Sequence, residues 1–233
     1  MNIALLGYGR MGKTIERLAI DRGHHIVLKA SSPIVVKDLE QADIAIEFSL
    51  PGAAFQNITR CFEANTPVVS GTTGWLENYD QAIAICKQYD AAFIYASNFS
   101  LGVNLFFELN KQLAKLMQRF KEYSLEMEEI HHTKKLDAPS GTAISLAEQV
   151  IEISNHTDWE LNEFGDTTKI PIIAKRIEDV PGTHRLTYSS TVDEIQIEHK
   201  ALNRDGFALG AVIAAEWLQH KKGVYSMKDV LGL

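Results

Sequence analysis

The sequence predicts an α/β protein: a Rossmann-type doubly wound parallel sheet plus a second α+β domain with a mixed sheet. Three observations point there. An apolar run, Asn2–Gly7, ends in glycine, as a buried parallel strand would. Short apolar runs then alternate with helical patterns to about residue 100, which is the rhythm of βαβ units. Beyond that point the alternation stops, and two helices give way to consecutive β-rich runs.

Taken in order, Asn2–Gly7 is the first strand, and Lys13–Arg22 is a helix with Ile15, Leu18 and Ala19 on one face. Ile26–Ala30, Ile44–Phe48, Pro67–Ser70 and Ala92–Tyr95 are further strands, and Ala53–Ala64 and Tyr79–Tyr89 are helices. Asn104–Phe120 is a long amphipathic helix and Tyr123–Ile130 an alternating strand. A helix from about Gly141 to Ile153 follows, then β-rich Ile170–Ile177, Arg185–Ser190 and Glu194–His199. The tail Gly206–Gln219 is helical and apolar and is expected to pack back on the first domain. The expected division is 1–101 with 205–233 as one domain, and 102–204 as a second.

Composition narrows the function. The 233 residues carry 23 basic and 30 acidic side chains, a net charge of −7, so the broad basic face of a nucleic-acid binder is not expected. No apolar run approaches the roughly 20 residues that span a bilayer. The first residues lack the basic stretch of a signal peptide, so a soluble cytoplasmic protein is expected. Cys61 and Cys86 suit a reducing compartment, as buried free thiols.

Gly7-Tyr8-Gly9-Arg10-Met11-Gly12 matches G-x-G-x-x-G where a strand meets a helix. Glycines permit the tight turn and the approach of a pyrophosphate, and the helix N-terminus offers free N–H groups to it. An acidic residue about 20 positions on normally binds the ribose of NAD. Here the second strand ends Leu28-Lys29-Ala30-Ser31-Ser32, with a lysine and hydroxyls suited to a 2′-phosphate. The reading is NADPH or NADH, with NADP(H) accepted. Ser70-Gly71-Thr72-Thr73-Gly74 and Ala96-Ser97-Asn98-Phe99-Ser100 follow the fourth and fifth strands, where ligands of open α/β sheets bind.

Glu126–Thr142 carries the chemistry. A strand ends at His131 and His132, Lys135 follows, and Asp137-Ala138-Pro139-Ser140-Gly141-Thr142 starts a helix. A lysine, a histidine and a helix N-terminus form a receptor for carboxylates, and histidine can supply a proton near neutral pH. A metal site is not predicted, since no cysteine or third ligand stands at metal spacing.

These residues resemble the dihydrodipicolinate reductase family. The pattern E-x-x-H-H-x-x-K-x-D-A-P-S-G-T-A stands at Glu128–Ala143. G-x-G-R-M-G, the G-T-T-G of Gly71–Gly74 and N-F-S-x-G-V-N at Asn98–Asn104 match in order. His199-Lys200-Ala201, Arg204, Phe207-Ala208 and Gly210-Ala211 resemble the closing signature. The resemblance implies hydride transfer to a cyclic dicarboxylate, with His131 as general acid and Lys135 as its partner. It implies His132, Ser140, Gly141, Thr142 and Thr73 as substrate binders. The cofactor would lie on Gly7–Gly12, Lys29, Ser31, Gly71, Thr72, Thr73 and Ala96–Phe99. It also implies a homotetramer, with 1–101 and 205–233 as the dinucleotide-binding domain and 102–204 as the substrate-binding and oligomerisation domain. Arg176 through His184 matches the family's R-x-G-x-x-G-x-H only in part, with Glu178 in place of the first glycine, so neither end receives a role. Two rival readings are another amino-acid-pathway dehydrogenase and a non-catalytic NAD(P) sensor.

Overall fold

β1 (Asn2–Leu6), β2 (His25–Ala30), β3 (Ile44–Glu47), β4 (Val68–Ser70), β5 (Ala92–Tyr95) and β11 (Gly223–Tyr225) form a six-stranded sheet. Its order is β11-β5-β4-β3-β1-β2, and every pairing is parallel. The computed structural model describes every residue except Ser32 and Arg204. The second hydroxyl expected near a 2′-phosphate and the arginine of the closing signature therefore lie outside the described residues. The chain divides into two units, 1–104 with 205–233, and 105–204. The division falls three residues later than the sequence suggests, within the helix α4 (Leu101–Met117).

Strand alternation explains the first unit. Ile3, Leu5, Ile44, Ile46, Val69, Ala92 and Ile94 pack on one face against α1 (Arg10–Asp21), α6 (Asp205–Leu218) and Met227 of α7 (Met227–Leu231). Ala4, Leu6, Ala45, Val68 and Phe93 pack on the other against α2 (Pro51–Glu63) and α3 (Tyr79–Gln88). Both faces are covered, so the strands read as unbroken apolar runs. A Cβ at Gly210 of α6 would overlap the carbonyl of Phe99, so glycine lets that helix lie close to the backbone after β5.

In the second unit β6 (Ser124–His131), β7 (Asp158–Leu161), β8 (Lys169–Arg176), β9 (Gly182–Ser189) and β10 (Glu194–Ala201) form a mixed sheet of order β10-β9-β6-β8-β7. Leu125, Met127, Ile170, Ile172, Leu186 and Tyr188 line one face, packed against α4 and α5 (Gly141–Ile151). On Glu128 and Arg185 the opposite face carries ion pairs to Lys175 and Glu198. Because Leu125, Met127, Glu129 and His131 alternate along β6, the last two fall on the buried, helix-covered face.

Candidate active site

The glycines of the first turn divide their work. A Cβ on Gly7 would overlap the Phe48 carbonyl beyond β3, and one on Gly12 would overlap the Gly7 carbonyl. Gly9 faces open space. α1 starts at Arg10, three residues earlier than the periodicity suggests, because its first turn takes in Arg10, Met11 and Gly12 of the glycine motif. Its N-cap, Gly9, supplies no side-chain hydrogen bond, and the first turn has no acidic residue. Arg10 and Lys13 there oppose the helix dipole, an arrangement that an anion at the turn would relieve. These features fit a pyrophosphate. Beside the turn, Gly7 N–H donates to the Ala30 carbonyl at 2.8 Å, which ties the end of β2 to it.

The neighbouring loops hang on Glu47, a fully buried carboxylate at the end of β3. Ser49 donates through its N–H (3.0 Å) and its hydroxyl, Ser70 Oγ donates at 2.7 Å, and Thr72 Oγ1 at 2.9 Å. Thr72, expected to bind cofactor, is therefore spent inside the fold, and Thr73 beside it is the exposed hydroxyl. A Cβ on Gly71 would overlap the Phe48 ring. The Phe99 side chain belongs to the core, packed on Phe48 at 5.8 Å between ring centroids, which leaves its backbone to face a ligand. Asn98 Oδ1 accepts from Ser100 N–H at 2.9 Å, Ala96 N–H donates to Ser70 O at 3.2 Å, and Ser97 is exposed.

The second unit gathers its polar groups on Glu129, which is fully buried. Its Oε1 accepts from Arg176 Nη2 at 3.1 Å, and its Oε2 from Ser140 N–H at 2.9 Å. His131 Nδ1 lies 3.6 Å and His184 Nε2 3.9 Å from the same Oε2. Strand register does this: Glu129 pairs with His184 on β9, and His131 with Arg176 on β8. Arg176 Nη2 also donates to the Asp137 carbonyl at 2.6 Å, fastening the loop to the sheet. Burial pushes the His184 imidazole down to about 3, so it is neutral. Its Nε2 shares a hydrogen bond with the Ser140 hydroxyl at 3.2 Å. Burial also lowers His131; Glu129 opposes that shift, while Lys135 and Arg176 add to it.

Ser140, expected among the substrate binders, has both polar groups committed: it caps α5 by accepting from Ala143 N–H at 3.2 Å. Gly141 and Thr142 follow, with no acidic residue in the first turn and open space at Gly141. Lys135 Nζ donates to both Asp137 oxygens at 2.9 and 2.7 Å, which holds the Asp137 carboxyl below its usual range. His132 is half-buried, with no partner at Nδ1.

Sequence reasoning missed Glu129 and named Arg176 and His184 without giving them a role. The i, i+2 spacing of Glu129 and His131 was the available signal; the other two arrive through strand pairing. A further correction concerns metal. Ligand atoms of Glu129, His131 and His184 lie within 4.8 Å of one another, so a third donor does exist. Arg176 already supplies a cation at that carboxylate, and the Ser140 N–H its other hydrogen bond.

The parallel sheet and its acid-free glycine turn place the chain in the class of NAD(P)-dependent oxidoreductases. Residues 1–99 match the family described as "Dihydrodipicolinate reductase, N-terminus", and residues 102–231 match its C-terminus counterpart. The chain belongs to the dihydrodipicolinate reductase family. A 4-hydroxy-tetrahydrodipicolinate reductase of Christiangramia forsetii is 59% identical over 99% of this chain and 98% of its own. One of Staphylococcus epidermidis is 35% identical over 99% and 100%. The structure of a dipicolinate-bound dihydrodipicolinate reductase from Paenisporosarcina sp. TG-14 shares the fold, with TM-score 0.77, 21% identity and 97% of each chain covered. The chain is thus an NAD(P)H-dependent reductase of lysine and diaminopimelate biosynthesis.

Proposed function

We propose that the chain reduces 4-hydroxy-tetrahydrodipicolinate to tetrahydrodipicolinate with His131 as proton donor and Lys135 as its cationic partner. Bound NAD(P)H supplies the hydride. The observation that carries the assignment of roles is the cluster around buried Glu129, which accepts Ser140 N–H at the start of α5 and stands 3.6 Å from His131 Nδ1 at the end of β6.

One substrate carboxylate takes the open N–H groups of Gly141 and Thr142, where the helix dipole favours an anion. His132 and Lys135 serve the dianion's remaining charge, with Lys135 leaving Asp137 to do so. The arriving negative charge raises the His131 pKa, so the imidazole takes up a proton as substrate binds. The 4-hydroxyl leaves as water to give the unsaturated ring, and His131 gives its proton to a ring carbon as the hydride arrives, so one hydride and one proton are taken up and one water is released. On the first unit, Gly7–Gly12 cradles the pyrophosphate, Lys29 and Ser31 meet the adenosine ribose, and Thr73 keeps its hydroxyl for a ligand. The resemblance to the family supports a cytoplasmic homotetramer. The net charge of −7 gives no support to a nucleic-acid partner. Nor, among the described residues, is any helix long and apolar enough to cross a membrane.

The test is His131→Gln. Turnover should fall by about 10²–10³-fold, the range for losing a general acid, with the NADPH dissociation constant unchanged. Undiminished turnover removes His131 from the chemistry.

A further inference from the structure

We infer that Glu16 of α1 sets the balance between NADPH and NADH by holding Lys29 in an ion pair; this rests on the proposed dinucleotide site at Gly7–Gly12. β2 ends without an acid, yet the structure brings one there from α1. Lys29 Nζ pairs with Glu16 Oε1, the Tyr8 hydroxyl donates to Glu16 Oε2, and the ammonium lies 5.2 Å from the Tyr8 ring centroid. Lys29 adjoins Ala30, whose carbonyl accepts from Gly7 N–H, so the triad stands beside the phosphate turn. The carboxylate is the inner member, 18% exposed against 43% for the lysine.

The three groups reinforce one another's ordinary charge states. Hydrogen bonding from Lys29 lowers the Glu16 carboxyl, Glu16 raises the Lys29 ammonium, and Glu16 raises the Tyr8 phenol. At neutral pH the pair is therefore a neutral unit. A 2′-phosphate approaching Lys29 meets the Glu16 carboxylate as well, and must share the ammonium against that repulsion. A 2′-hydroxyl meets no such penalty, since it donates to the carboxylate and accepts from the ammonium. Lys29 favours NADPH and Glu16 restrains it, so both cofactors are admitted.

The experiment is equilibrium binding of NADPH and of NADH to the whole protein by calorimetry, without substrate. Glu16→Gln frees Lys29 and should tighten NADPH by about fivefold, the scale of an exposed ion pair, while NADH is unchanged or weaker. Lys29→Gln leaves the carboxylate uncompensated and should weaken NADPH by about tenfold or more, far beyond its effect on NADH. Glu16→Asp, which keeps the charge, should return the selectivity toward the parent ratio. An unchanged NADPH-to-NADH ratio in Glu16→Gln overturns the inference, and so does a shift of both constants by one common factor, the sign of a structural role. If neither nucleotide binds the parent protein, the dinucleotide site itself falls and the inference with it.

Discussion

Glu129 Oε2 stands 3.6 Å from His131 Nδ1 while accepting the backbone N–H of Ser140, so one buried carboxylate adjoins both the proposed proton donor and the start of α5. Glu129→Gln keeps the shape but removes the charge that opposes the desolvation of His131. It also leaves Arg176 without its anion, which is costly in a buried setting. Turnover should fall by about tenfold or more, and the alkaline limb of the pH profile, set by His131, should move to lower pH. Steady-state kinetics across pH checks both; a loss of turnover with no movement of the profile would confine Glu129 to a structural role.

The pH dependence of the parent enzyme should show two separate limbs. His131 must be protonated to act, so rates fall as pH rises through its pKa. In the free enzyme burial holds that pKa below the ordinary histidine value, and kcat/KM reports it. In the complex the dianionic substrate raises it, so the limb in kcat should lie at higher pH. Coincident limbs would contradict the uptake of a proton with substrate.

Stability should also fall toward acid. His184 titrates near 3 when folded, whereas an unfolded histidine titrates at about 6.5. Between those values the unfolded chain binds the extra proton, so the stabilisation is full above about pH 6.5 and is lost as pH drops toward 3. His156 and His199 are lowered by burial and act in the same direction. Thermal melting between pH 7 and pH 5 should show a falling Tm, with a shallower slope in His184→Gln.

The glycine turn gives a contrast between two small substitutions. Gly9→Ala adds a methyl to open space, so Tm should hardly move while nucleotide affinity drops by about tenfold. Gly12→Ala drives its Cβ into the Gly7 carbonyl and should cost about 1–3 kcal/mol of stability, as overpacking does. Melting and nucleotide titration on the two variants separate binding from packing.

The parallel sheet was legible because β1, β3, β4 and β5 are buried on both faces and so stand out as apolar runs. β7 and β11 were not. Both are short edge strands, β7 with an exposed Asp158 and β11 of only three residues, so neither carries a full period of apolar signal. His131, Lys135 and the Gly141 helix start could be read because they are close in the chain. Arg176 and His184 reach Glu129 only through strand register, 47 and 55 residues away by number. The acid sought after β2 was missed for a related reason: a helix side chain supplies it from Glu16.

The central claim is that this chain reduces its cyclic dicarboxylate with His131 as the proton donor. The most direct measurement generates 4-hydroxy-tetrahydrodipicolinate in place and follows nicotinamide oxidation, in the parent protein and in His131→Gln. Rapid oxidation that depends on that substrate, cut by about 10²–10³-fold in the variant with NADPH still bound, is the predicted result. Bound nucleotide with no oxidation in the parent protein, or equal oxidation in the two proteins, would contradict it.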